Sequence, residues 1–320
     1  MKFSPVTPFE PVLAGQLPVG NQWIAQIKWD GVRMLSYYDG DGTELINRRG
    51  NRRTGQYPEL NDARAYSKAD SIILDGEVIA LLNGKPSFHE VMRRDSLKNE
   101  AAIQATKHQV PVVYMVFDIL YCNGQWLLDQ SLSQRQQRLS EMLLPHPHVQ
   151  LVPSYTDPAE LFAAAQSKGL EGIVCKDIMS TYAPGGKDKR WQKRKIISDI
   201  TAVAGGVTFR DGMVNALLLG LYDDAGKLHY IGHAGAGRLT VEDWRSLTAQ
   251  AIRLASEQMP FATLPQRSKG AYWINPQLVF KIHFLEWNHS GTLRQPVIQA
   301  MVDIPARDCR LEQRLRAIPQ

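Results

Sequence analysis

Asx-Gly dipeptides punctuate the first half of the chain, at Asp30-Gly31, Asp39-Gly40, Asp41-Gly42, Asn83-Gly84 and Asn123-Gly124. Between them lie WIAQI (23–27), VRMLSYY (32–38), IILDGEVIALL (72–82) and VVYMVFDILY (112–121). These runs are rich in β-branched and aromatic residues, which favour strands. Asx-Gly tolerates the positive φ of tight hairpin turns. The pattern predicts antiparallel sheets. Helices flank them. SLSQRQQRLSEMLL (131–144) starts on a serine cap, and DPAELFAAAQS (157–167) has Asp157 as cap, Pro158 at the first position and Glu160 completing a capping box. EGIVCK (171–176) then reads as a short buried strand.

The texture changes after residue 199. ITAVAGGVTF, ALLLGLY, LHYIGHA and LVFKIHF are short, evenly spaced strands with Gly-rich turns. One helix, 240–255, interrupts them, capped by Thr240 with Asp243 three residues on. Many short strands around one helix predict a small β-barrel of the oligonucleotide-binding (OB) type. The expected architecture is α+β, with one domain over 1–198, an OB barrel over 199–320 and a boundary near Ser198–Ile200. A chain of 320 residues has room for both.

Charge points to a polyanionic partner. The net charge is +5, with 24 basic against 22 acidic residues before position 201 and 13 against 10 after it. The excess concentrates in NRRGNRR (47–53) and KDKRWQKRK (187–195). Cys122, Cys175 and Cys309 are odd in number and far apart, so they read as ordinary thiols, neither a disulfide framework nor a zinc site. No apolar run reaches the ~18 residues of a membrane helix. MKFSPVTPFEPVLAG makes a poor signal peptide, and the expectation is a cytoplasmic protein.

Lys28, in QIKWDGVR, sits between apolar residues at the end of a strand-like run. A lysine amine is a nucleophile only when neutral. With an ordinary pKa of about 10.4, roughly one in a thousand is neutral near pH 7. Desolvation and nearby cations can raise that fraction, and Ile27, Trp29 and Arg33 supply both. A lysine among cations suits attack on phosphorus, because the cations offset charge building on the phosphoryl oxygens.

KWDGVR resembles motif I, Lys-x-Asp-Gly-x-Arg, of the covalent nucleotidyltransferases: ATP-dependent DNA ligases, RNA ligases and mRNA capping enzymes. NRRG (47–50), LDGEVIAL (74–81), VFDILY (116–121), EGIVCK (171–176) and WQKRK (191–195) resemble motifs Ia, III, IIIa, IV and V, in order. DITAVAGG (199–206), LLLGLYDDAGKLHYIGHAGAG (217–237), NPQLVFKIHFLEW (275–287) and GTLRQPV (291–297) are similar to the barrel of bacterial repair-type DNA ligases. That group includes stand-alone enzymes, the form expected here, and the ligase domains of end-joining enzymes. The likeness spans about residues 5 to 305.

The resemblance implies roles. Lys28 would attack the α-phosphate of ATP, forming lysyl-AMP. Gln26, Ile27, Arg33, Arg48, Glu77, Phe117, Lys193 and Lys195 would contact the nucleotide. Arg33 and Arg48 would hold its phosphate and sugar, and Arg48 also the DNA 5′-phosphate. Phe117 would stack on adenine, and Gln26, where many relatives carry Glu, would accept from the adenine amino group. Glu171 and Glu77 would hold Mg²⁺, for which Mn²⁺ could substitute. Lys193 and Lys195, two apart on a strand, would face the α-phosphate together. Lys176 would support the phosphates, and Asp118 would be structural. The implied protein is a monomer that seals nicked duplex DNA away from any membrane. The residues identify no protein partner such as a DNA end-binding protein.

One element departs from the family. A basic-x-Asp-Lys pattern, motif VI, should follow Leu-Arg-x-Pro and help orient pyrophosphate during self-adenylation. Here Val302, Ile304 and Pro305 stand at those positions, and Arg307 or Arg310 would have to substitute. Two rivals stay open: an RNA ligase or capping-type nucleotidyltransferase, and a catalytically weak nick-binding module.

Overall fold

A computed structural model describes residues 3–313, apart from positions 83, 197, 286 and 289 and the side chain of Ala236. The Asn83 half of one expected turn, Glu286 of the LEW stretch and the last seven residues therefore lie outside the described residues. The chain divides into two compact units after Ile196.

The first unit is built on two sheets. One runs in the order Glu10–Leu13, Lys187–Lys195, Gly172–Asp177, Trp23–Ile27. The other has Thr43–Asn47, Val32–Tyr38, Ile72–Leu82 and Val112–Cys122 as antiparallel neighbours. Asn123 (φ 46°) and Gly124 (φ 88°) form the expected tight turn after the last of these. Asp30-Gly31 does something else. It carries the chain from Trp23–Ile27 in the first sheet to Val32–Tyr38 in the second. A Cβ on Gly31 would lie 2.1 Å from the Val78 carbonyl oxygen, so the glycine is there for close backbone approach, not for a hairpin.

The helices Leu132–Met142 and Pro158–Ser167 form as expected. Ser131 and Gln134 make a reciprocal capping box. Asp157 instead accepts from both Ala159 and Glu160 N–H groups with its own carboxylate. Two further helices, Phe88–Asp95 and Glu100–Gln109, were not foreseen. In the first, His89, Val91, Arg94 and Asp95 are buried, so only one buried apolar residue marks the inward face.

The second unit is the OB-fold. Its sheet runs Leu228–Ala234, Met213–Tyr222, Ser198–Arg210, Val279–Phe284, Val297–Met301. The helix Val241–Arg253 starts from a Thr240–Asp243 capping box. The core is Leu-, Val- and Ile-rich, with Leu217, Leu218, Leu219 and Leu221 fully buried. No described helix is long and apolar enough to cross a membrane.

Candidate active site

The site draws on strands of both sheets in the first unit. Lys28 follows the Trp23–Ile27 strand, and its N–H donates to the Gly172 carbonyl at 2.9 Å. This fixes it beside Glu171. Lys28 Nζ donates to both Glu171 carboxylate oxygens at 2.7 Å. Lys195 Nζ stands 3.9 Å from the same carboxylate, whose side chain is 2% exposed. Gly172 makes the approach feasible. Its φ is +152°, and a Cβ there would meet the Arg194 carbonyl oxygen at 2.2 Å.

The immediate neighbour of the amine is thus a carboxylate, not the cations expected from sequence. Lys28 is stored as half of an ion pair, with a proton acceptor within hydrogen-bond reach. Ile27 also differs from expectation: its side chain packs with Ala25, Leu161 and Ile173 beneath the Pro158–Ser167 helix.

Glu77 lies opposite Arg33 across the sheet. Burial pushes its carboxyl up to about 7, against the pull of Lys28 and Arg33 and with the push of Asp30 and Glu171. Glu77 and Glu171 therefore share one electrostatic neighbourhood with Lys28. Among the described residues no three His, Cys, Asp or Glu side chains gather as a ready-made cation cage. Two carboxylates still fit Mg²⁺, which uses one or two protein oxygens and fills its shell with waters and phosphate.

Arg33 is turned inward. Nε and Nη2 donate to the two Asp75 oxygens at 2.7 and 2.6 Å, and Nη2 also reaches the Phe9 carbonyl at 3.1 Å. Burial opposes its charge, but Asp75 outweighs that and holds the pKa above its ordinary value. Asp75, in the same Asp-Gly-Glu stretch as Glu77, was missed from sequence. Only its pairing with a buried arginine marks it out.

Arg48 is more exposed and pairs with Glu10 at 3.3 Å. Lys187 reaches the same Glu10 at 3.5 Å. Burial raises the Glu10 carboxyl, yet Arg48, Lys187 and Lys193 together hold it below its usual value. Lys193 and Lys195 are therefore placed by one strand near different carboxylates, Glu10 and Glu171. Glu10 was also missed; nothing in its local sequence signals the cluster.

Gln26 is buried. Its Nε2 donates to Ser154 Oγ at 3.1 Å and to the Val152 carbonyl at 3.5 Å. Its Oε1 is buried with no hydrogen-bond partner. That is the acceptor a base amino group requires. Ile79, Met115, Val152, Trp29 and Phe117 cluster beside it as apolar neighbours. An orphaned acceptor beside aromatic and aliphatic side chains fits a purine.

Lys176, expected near the phosphates, is instead buried against the rings of Phe117 and Trp191. Asp118 is structural, held bidentately by Arg135 at 2.8 and 3.0 Å. Where motif VI was expected, Val302 and Ile304 pack against the barrel core, and Pro305 caps a short 3₁₀ turn. Arg307 and Arg310 lie beside the Asp223–Gly226 turn, with Arg310 3.7 Å from Asp224. All three cysteines are buried and unpaired with one another.

Comparison with known proteins gives this geometry a family. The "ATP dependent DNA ligase domain" matches residues 14–195, and the "ATP dependent DNA ligase C terminal region" matches 210–302. The multifunctional non-homologous end joining protein LigD of Mycobacterium bovis is 32% identical over 86% of this chain and 35% of its own length. LigD of Pseudomonas aeruginosa is 30% identical over 91% of this chain, again 35% of its length. The chain thus spans about a third of these relatives. A solved structure of mycobacterial DNA ligase D complexed with ATP and MES superposes with a TM-score of 0.71 at 27% identity, covering 95% of this chain and 97% of that one. The chain belongs to the ATP-dependent DNA ligase family.

Proposed function

We propose that this chain seals 5′-phosphate/3′-hydroxyl nicks in duplex DNA, using ATP through a lysyl-AMP intermediate on Lys28. The observation that carries the reading is the meeting of Lys28, Glu171 and Lys195 around one buried carboxylate. The neutral amine forms an N–P bond to the α-phosphorus. The bond from that phosphorus to the bridging oxygen breaks, and pyrophosphate leaves with the electron pair. Glu171, 2.7 Å from Nζ, is within reach of the amine's proton. Lys193 and Lys195 offset charge on the phosphoryl oxygens. Gln26 and Phe117 orient the base. AMP then passes to the DNA 5′-phosphate, where Arg48 contributes its guanidinium, and the 3′-hydroxyl attacks and expels AMP. Glu171 and Glu77 would hold Mg²⁺ or Mn²⁺, which when bound supplies Lewis-acid stabilisation of phosphate charge. Residues 1–198 serve as the adenylation domain and 199–320 as the DNA-clamping barrel of a cytoplasmic monomer.

One test follows ATP or GTP label into the protein and then into nicked DNA or RNA. Label from ATP and sealing of DNA are expected; GTP labelling or RNA sealing would favour the rival nucleotidyltransferases. Binding to nicked duplex should also fall steeply with salt. Six or more phosphate contacts predict a loss on the order of 10³-fold between about 50 and 200 mM. A salt-independent affinity would contradict the phosphate-tracking role of the basic stretches.

The apolar packing of Val302 and Ile304 favours a second reading, a slow first step. Loss of a charged group that stabilises a transition state costs on the order of 10²-fold. A pre-adenylated nick should therefore be sealed roughly 10²-fold faster than an ordinary nick is sealed with ATP. Equal rates would show that the missing pattern is made good elsewhere. No sealing of either would favour the nick-binding module.

A further inference from the structure

Lys176 lies in the Gly172–Asp177 strand with 2% of its surface exposed. Its Nζ is 3.9 Å from the centroid of the Trp191 ring and 4.3 Å from that of Phe117. It also points at the Phe117 carbonyl, at 3.5 Å. The two rings meet edge to face, 6.0 Å apart at 81°. The Arg33 guanidinium stands over the same rings, at 4.8 Å from Phe117 and 5.7 Å from Trp191. Phe117 is therefore gripped by two cations that reach it from different strands.

Four charged groups act on Lys176, and none of them comes from the two strands that flank its own, Trp23–Ile27 and Lys187–Lys195. They are Asp118 on Val112–Cys122, Arg33 on Val32–Tyr38, Asp75 on Ile72–Leu82 and Arg135 on the Leu132–Met142 helix. Both carboxylates are already held by arginine forks, Asp75 by Arg33 and Asp118 by Arg135. Lys176 is left with aromatic faces and one carbonyl. Attraction to the rings favours the ammonium, while loss of water disfavours it. Burial pushes the Lys176 amine down to about 7, with the two aspartates pulling up and the two arginines pushing down.

We propose that Lys176 is a positioning residue for the base platform: with Arg33 it clamps the Phe117 ring, and loss of its proton loosens the clamp. The inference rests on the reading of Phe117 as the surface on which adenine stacks. Below about pH 7 the ammonium is present and the ring is held. Above it the amine is neutral, the attraction to both rings is lost, and the nucleotide binds less tightly. The effect belongs to binding, since Lys176 does not reach the reacting atoms.

The test uses the full chain and an α,β-methylene analogue of ATP, whose Kd reports binding without chemistry. Wild type, Lys176→Met and Lys176→Arg are compared from about pH 6 to about pH 8.5. Wild-type Kd should weaken roughly three- to tenfold across that range. Lys176→Met should bind at the weak level throughout. Lys176→Arg, which keeps its charge, should bind at the tight level throughout. Both variants should still form covalent AMP at saturating ATP. A ligand-free readout accompanies this: the difference in fluorescence between wild type and Trp191→Phe should titrate near neutrality, and the same difference taken in a Lys176→Met background should not. A Lys176→Met protein with the wild-type pH profile, or with that fluorescence midpoint intact, overturns the proposal. If the wild type binds no analogue at any pH, the ligase reading falls and the platform role with it. The fluorescence titration then still decides whether the clamp exists.

Discussion

Lys28→Ala incubated with labelled ATP and Mg²⁺ forms no covalent AMP adduct, a loss on the order of 10⁴-fold or more. The reason is that the nucleophile itself is gone, and no neighbour can take its place. Lys195 shares the Glu171 carboxylate with it but stands 3.9 Å away from that group, against 2.7 Å for Lys28. Lys28→Arg should fail equally, because a guanidinium stays protonated. Glu171→Gln should keep a residual signal, reduced roughly 10²- to 10⁴-fold, as expected when a proton acceptor is removed. Lys28→Ala should still seal a pre-adenylated nick, since only the first step needs the amine. Gel autoradiography and a nick-sealing assay read these results. Label that persists in Lys28→Ala would remove Lys28 as nucleophile.

The second large effect is on stability. Arg135→Leu should destabilise the first unit by about 3–5 kcal/mol, because it strands the Asp118 carboxylate in the interior. Arg135 and Asp118 are both fully buried, and the remaining guanidinium nitrogen donates to the Gln130 and Ser180 carbonyls. Asp118→Leu should cost a similar amount. The double variant Arg135→Leu/Asp118→Leu should recover much of the loss, since a buried pair replaced by apolar groups of similar volume is often close to neutral. Urea unfolding followed by tryptophan fluorescence measures this. Single variants within about 1 kcal/mol of wild type would mean that water reaches the pair.

Much of this was readable in the chain. The strand runs 23–27, 32–38 and 72–82 appear at those limits, because β-branched and aromatic runs bounded by turn residues leave little choice. Lys28, Glu171 and Lys195, far apart in the chain, come together in the structure, with the carboxylate and not a cation against the amine. What could not be read was set by tertiary contact. Arg135 looked like one more polar residue on the helix SLSQRQQRLSEMLL, yet it is buried to nothing. Asp30-Gly31 looked like a hairpin, but the backbone of Val78 passing 2.1 Å from the would-be Cβ lies 47 residues away in sequence. Glu10, far from every motif, enters the cationic cluster only because Glu10–Leu13 pairs with Lys187–Lys195.

Asp75 and Asp118 face each other directly across neighbouring strands, each tied to its own arginine. Those strands, Ile72–Leu82 and Val112–Cys122, are largely buried on both faces. Greasy side chains alone would tolerate a one-residue slip of Ile72–Leu82 against its other neighbour, Val32–Tyr38, because either face would still be dry. The Arg33–Asp75 fork, which joins those two strands, would not: a slip would strand a buried cation and a buried anion without partners. Ionic matching here works as an indexing pin, and the alignment it fixes is the one that brings Glu77 across from Arg33.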